Sequence, residues 1–202
     1  MNPGVAQEAS SALCNLAMTA ASNRQRMARA GAPSKLLAVL EAHKSDARVC
    51  APAAAALAAL AHQHPENQRA MSAAEGIPQL VGALRSPLRD DHAAAAALCE
   101  ALASLATLDE LQEKLVGLGA VQAAVAAVKL EGSEEGGVWG AAGRLLIPLA
   151  CDVSLKGRLV AAGDDAHRRH ALRIPVPSCA AADLVLPTDT ASGRAPRPYL
   201  LA

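Results

Sequence analysis

Leu13-Cys14-Asn15-Leu16-Ala17 returns as Leu57-Ala58-Ala59-Leu60-Ala61, again as Leu102-Ala103-Ser104-Leu105-Ala106, and once more as Leu146-Ile147-Pro148-Leu149-Ala150. The second leucine of each copy falls at 16, 60, 105 and 149, so the spacings are 44, 45 and 44 residues. Two further marks run in phase: Met27, Met71, Leu115 and Leu159, each 44 apart, and the glycines Gly31, Gly76, Gly119 and Gly163. A period of this length is the signature of stacked supersecondary units, each burying its apolar face against its neighbours.

Composition agrees with that reading. The 202 residues include 50 Ala and 28 Leu but no Phe, one Trp and one Tyr. A closed core of this size would fill its interior with rings. Ala and Leu instead suit closely packed helices, because Ala has the best helix propensity and lets backbones approach. Collagenous and disordered classes are excluded by 52% hydrophobic content with only 14 Gly. The 19 basic and 19 acidic side chains cancel, so no global field steers nucleic acid or anionic lipid to the chain.

Within a copy, turn and cap residues divide the unit into three helices. The short first helix, 23–30, stops at Gly31, where a glycine takes positive φ at little cost. Pro33 opens a second helix bearing Leu36, Leu37 and Leu40, and Ser45 or Asp46 caps a long third helix running to His62. The next copy repeats this over 66–75, 78–85 and 90–107, and the last over 109–118, 121–130 and 138–150. About ten helices, no sheet and four parallel long helices are predicted.

A glycine-bounded short helix, a medium helix and a long helix in 44 residues resembles the armadillo repeat. The matching residues are Asn23, Met27, Gly31, Ala32, Leu36 and Leu40, then the Ala-Leu-x-x-Leu-Ala end of the third helix. HEAT repeats use two helices and lack the short first one. The resemblance implies an all-α, right-handed α-solenoid over residues 1–163. It would comprise a partial repeat at 1–20, repeats at 23–62, 66–107 and 109–151, and the start of another at 155–163. Extending the second-helix core by three periods reaches Arg168 and Arg169, which are costly to bury. Residues 164–202 are therefore expected to form an irregular tail, docked or disordered.

The resemblance also implies a function. Armadillo arrays line a concave groove with their third helices and bind extended peptides or partner helices there. An asparagine near the third-helix end grips the peptide backbone, its amide donating and accepting at once. Asn15 stands at that position, but Ala59, Ser104 and Pro148 replace it in the other copies, so a merely solvated face is the competing reading. The tryptophan that nuclear-import receptors carry one turn earlier is replaced by Ser11, Ala55, Glu100 and Arg144, which argues against nuclear-localisation signals as ligands. The residues expected to line a partner-binding groove are Glu8, Ser11, Asn15, Gln63, Glu100, Ser104, Arg144 and Asp152.

No catalytic chemistry is assembled by local spacing. His62 and His64 splay at a helix end, and His167 and His170 flank two arginines that repel a cation. Gly136, Gly137, Gly140 and Gly143 lack the lysine of a phosphate loop. Trp139, the one ring in the array, is expected at a repeat seam. The expectation is a non-catalytic scaffold with a protein or peptide partner, no cofactor, no metal, no small-molecule substrate, no nucleic acid and no membrane insertion. The alternative is a regulatory or targeting fragment of a larger enzyme of ubiquitin-ligase or kinase type. Five cysteines without a C-x-x-C pair and an N-terminus without a signal peptide point to the cytoplasm or nucleus rather than secretion.

Overall fold

The computed structural model describes residues 2–131 and 137–151. Among these the chain forms ten α-helices and one short 3-10 turn, and no strand. The helices are α1 (Pro3–Thr19), α2 (Ala21–Arg29), α3 (Ala32–Ala42), α4 (Ala47–Ala61), α5 (Pro65–Ala73), α6 (Gly76–Arg85), α7 (His92–Ala106), α8 (Asp109–Gly117), α9 (Ala120–Glu131) and α10 (Gly137–Cys151). The long helices α1, α4, α7 and α10 stack in sequence, α4 on α1, α7 on α4 and α10 on α7. Within each unit the medium helix backs the long one: α3 on α4, α6 on α7, α9 on α10. This is a helical solenoid. The expected start of a further repeat at 155–163 and the tail 164–202 lie outside the described residues.

Local chemistry accounts for the helix ends. Asn2 caps α1, its Oδ1 accepting from the Gly4 and Val5 amides at 2.9 and 3.3 Å, with Pro3 in the first turn. Asp46 caps α4 by accepting from the Arg48 amide. The third long helix starts later than its sequence suggests. Pro87–Asp90 forms the 3-10 turn, and Asp91, accepting from the Ala94 amide at 2.9 Å, starts α7 at His92. Asp90 fails as the start because the residues before it are already committed to the tighter turn.

The glycine series also needs a correction. Positive φ falls at Gly31 (+73°), Glu75 (+56°) and Gly119 (+80°), positions spaced by 44 residues. Gly76 is one residue out of this register and is needed for a different reason. It is buried, and a Cβ there would fall 2.7 Å from the Met71 carbonyl oxygen. The middle turn therefore places a glutamate in the left-handed region, where side chains are disfavoured.

One continuous core runs through the stack, built from Ala and Leu on the long helices and from Leu36, Leu37, Leu40, Leu80, Val81 and Leu84 on the medium ones. Polar side chains fix the register between units. Arg24, Gln68 and Gln112, spaced by 44 residues, each donate to a carbonyl at the end of the preceding long helix: Ala17, Ala61 and Ala106 at 2.9, 3.0 and 3.0 Å. Asn23 and Asn67 do the same for Leu16 and Leu60. Helix C-termini leave four carbonyls without intrahelical partners, and this series satisfies some of them inside the protein. Gln68 goes further, bonding Ser104 O at 2.7 Å and Thr107 Oγ1 at 3.0 Å in the next unit. Arg85 likewise clips Leu118 O and Gly119 O.

Candidate functional site

The four long helices present one face each to an open groove of about 590 Å³. Its floor is alanine: Ala55, Ala58 and Ala59 from α4, Ala96 and Ala97 from α7, and Ala141 from α10. Cys14 and Met18 of α1 form one end, and Arg24, His62, Glu100, Ser104 and Arg144 supply polarity. Four of these alanines, Ala55, Ala59, Ala97 and Ala141, lie on one register stripe. Positions 8, 11 and 15 of α1 correspond to 52, 55 and 59, then 97, 100 and 104, then 141, 144 and 148 on the later helices. An alanine there leaves a trough, because no side chain rises above the helix backbone.

Of the eight residues expected to line a partner site, three meet at this groove. Glu100, Ser104 and Arg144 line it. Glu100 and Arg144, however, are bound to each other: Arg144 Nη2 and Nε lie 2.7 and 2.8 Å from Glu100 Oε2. Two charges 44 residues apart in sequence become neighbours when the units stack, so the groove carries an ion pair rather than two independent charges. Ser104 is buried, and its carbonyl is taken by Gln68.

Glu8, Ser11 and Asn15 stand on α1 at the corresponding register positions, Glu8 and Asn15 exposed and Ser11 half-buried. The α1 residues that line the groove are instead Cys14 and Met18. Gln63 is misplaced by the sequence reading. The long helix ends at Ala61, and Gln63 sits in the following turn at φ +51°, off the helical stripe. Asp152 lies outside the described residues. Trp139 is half-buried on α10 and is not among the groove-lining residues.

The alanine floor and the buried amides were missed in sequence. The donors Arg24, Gln68 and Gln112 form a 44-residue series, but the floor alanines do not: Ala55 answers to Ser11, Glu100 and Arg144, and Ala59 to Asn15, Ser104 and Pro148.

Cys14 and Cys50 differ in chemistry. Burial raises the Cys14 thiol above its ordinary value. Cys50 is fully buried on α4, its thiol donating to the His43 carbonyl at 3.1 Å, and burial with the nearby Asp46 carboxylate pushes it up to about 11. Arg48 beside Asp46 holds that carboxyl below its ordinary value. Among the described residues no group of three or more His, Cys, Asp or Glu is arranged to hold a metal ion. No single described helix is long and apolar enough to cross a membrane.

No family model matches the chain, and no curated protein sequence matches it. Solved structures do. Two engineered proteins from the Northeast Structural Genomics Consortium superpose with a TM-score of 0.71 at 27% and 29% identity, over 80% and 81% of this chain and 64% of theirs. A designed armadillo repeat protein superposes at a TM-score of 0.67 and 24% identity, over 78% of this chain and 63% of its own. The chain is an armadillo-like repeat array. It spans a little under two thirds of the length of these structures. With the armadillo architecture in place, the alanine-floored trough is the surface formed by the third helices.

Proposed function

We propose that the chain is a non-catalytic scaffold whose third-helix groove holds an extended segment of a partner protein. The observation that carries this reading is the trough itself, roofless, floored by alanines from three successive long helices and crossed by one ion pair. An extended strand of polypeptide fits a shallow trough, and a rigid repeat array loses little entropy on binding it. The apolar floor, the Glu100–Arg144 pair and one further cation, Arg24, favour a ligand of mixed charge over a strongly basic one. The buried Cys50 thiol suits a reducing compartment, the cytoplasm or nucleus.

The test is selection of peptides against the whole chain from a displayed random library, followed by alkylation of Cys14 with and without a selected peptide. Protection of Cys14 by bound peptide supports the groove. Binding that leaves Cys14 alkylation unchanged places the ligand elsewhere.

A further inference from the structure

Arg24 is a charged residue in a place where the later units use a neutral one. Arg24, Gln68 and Gln112 share one register position, and each donates to a carbonyl at the end of the long helix before it. The two glutamines are buried, 2% and 6% exposed, and their amide nitrogens are spent inside the protein. Gln68 Nε2 serves Ala61 O, Ser104 O and Thr107 Oγ1, and Gln112 Nε2 serves Ala106 O and Asp109 Oδ1. A neutral amide therefore suffices for the structural task. Arg24 adds a full charge to it, and Arg24 lines the groove.

The guanidinium is only half used. Its Nη1 donates to Ala17 O at 2.9 Å, which fixes it at the C-terminal end of α1, where helix carbonyls favour a cation. Its Nε is buried with no acceptor, and no described carboxylate pairs with it. Nε and Nη2 form the side-on edge by which a guanidinium takes a carboxylate through two parallel bonds. The other charges of the groove are matched, since Arg144 holds Glu100. Two arginines and one glutamate line the groove, so Arg24 is the cation left over. His62, exposed at the end of the next long helix, lines the groove as well and adds an N–H donor.

We infer that Arg24 sets the specificity of the groove by taking the side-chain carboxylate of an Asp or Glu in the bound segment. The residues beside that acid are small or apolar and run over Ala55, Ala59 and Ala97. This assignment rests on the groove as the binding surface and adds to it one fixed acidic position beside the end of α1. A carboxylate there accepts from the free edge of Arg24 and supplies the acceptor that Nε lacks. A lysine at the same position meets an uncompensated cation, so basic segments are rejected.

Displayed random segments, alike except for a fixed central Asp, Asn or Lys, panned against the whole chain test this. The wild type should retain the Asp library about ten-fold above the other two, and added salt should narrow that margin. Arg24→Gln keeps a donor for Ala17 O in the manner of Gln68, so the melting temperature should hold while the preference for Asp disappears. Arg24→Glu should turn the preference to Lys. Alkylation of Cys14 with and without the retained segments reports occupation of the groove whatever the charge of the ligand. Segments that protect Cys14 but show no preference for Asp overturn the role of Arg24 and leave the groove standing. A preference that survives Arg24→Gln, or one indifferent to salt, does the same. Segments that leave Cys14 unprotected, or no retention of any library, remove the groove and this assignment together.

Discussion

The Arg144 guanidinium holds the Glu100 carboxylate across α7 and α10, with two nitrogens 2.7 and 2.8 Å from one oxygen. The two residues occupy the same helical position in successive units, so the pair is a direct product of the 44-residue period. Both side chains are substantially exposed, 58% for Arg144 and 39% for Glu100, and solvent screens their attraction. A double-mutant cycle with Glu100→Ala and Arg144→Ala should therefore give a coupling of only about 0.2–1 kcal/mol in thermal stability. Arg144→Glu sets two carboxylates side by side in the groove. Its expected effect is a shift of selected ligands toward basic sequences, read by repeating the display selection.

Glu75 and Gly76 make opposite demands on one turn. Glu75→Gly relieves a left-handed residue and should stabilise the fold by about 0.5–1 kcal/mol in a denaturant melt. Gly76→Ala drives a methyl group onto the Met71 carbonyl and should destabilise it by about 1–3 kcal/mol. Equal effects from the two would show that the left-handed position is misassigned.

Gln68 ties α5 to the ends of both α4 and α7. Gln68→Leu keeps the bulk but strips donors from two buried carbonyls. Ala61 O keeps the His64 amide and Ser104 O keeps the Thr107 hydroxyl, so the expected loss is about 0.5–1.5 kcal/mol for each hydrogen bond removed. Hydrogen exchange in the turns after Ala61 and Ala106 should quicken first, because those helix ends lose their clamp.

Thiol reactivity should separate Cys14 from Cys50. At mild alkaline pH the Cys50 thiol stays protonated and enclosed, so Cys14 should be alkylated well ahead of it, with the two equal in denaturant. The raised Cys50 value also has a stability consequence. Below the ordinary thiol value of 9.0 both folded and unfolded states keep the proton, and nothing changes with pH. Between 9.0 and about 11 the unfolded chain releases it first, so stability should fall as pH rises through that window. Cys50→Ala should reduce that slope in melts followed across the same range, leaving the part that the raised Cys14 thiol contributes.

Most of the architecture was legible because it is written in leucine and glycine. Leu16, Leu60, Leu105 and Leu149 mark the long helices, and Gly31 and Gly119 mark turns whose φ requires them. Glu75 escaped notice because Gly76 beside it completes the apparent series. Glu100 and Arg144 were legible as groove positions but not as partners, since stacking alone makes residues one period apart into neighbours. Gln63 was placed by extending the helical stripe one residue beyond the expected helix end at His62, whereas the helix ends at Ala61 and the chain leaves it through Gln63 in a left-handed conformation. Arg24, Gln68 and Gln112 share a task without sharing an identity, so only the carbonyls they reach reveal the series.

The most direct test of the groove is to fill its floor. Ala59→Arg and Ala97→Arg place long side chains at two half-buried positions of the trough, on α4 and α7. Calorimetric titration of a peptide selected on the wild-type chain should show binding weakened roughly ten-fold or more by each substitution, with the melting temperature held. Undiminished affinity in both variants would contradict the assignment of partner binding to the third-helix groove.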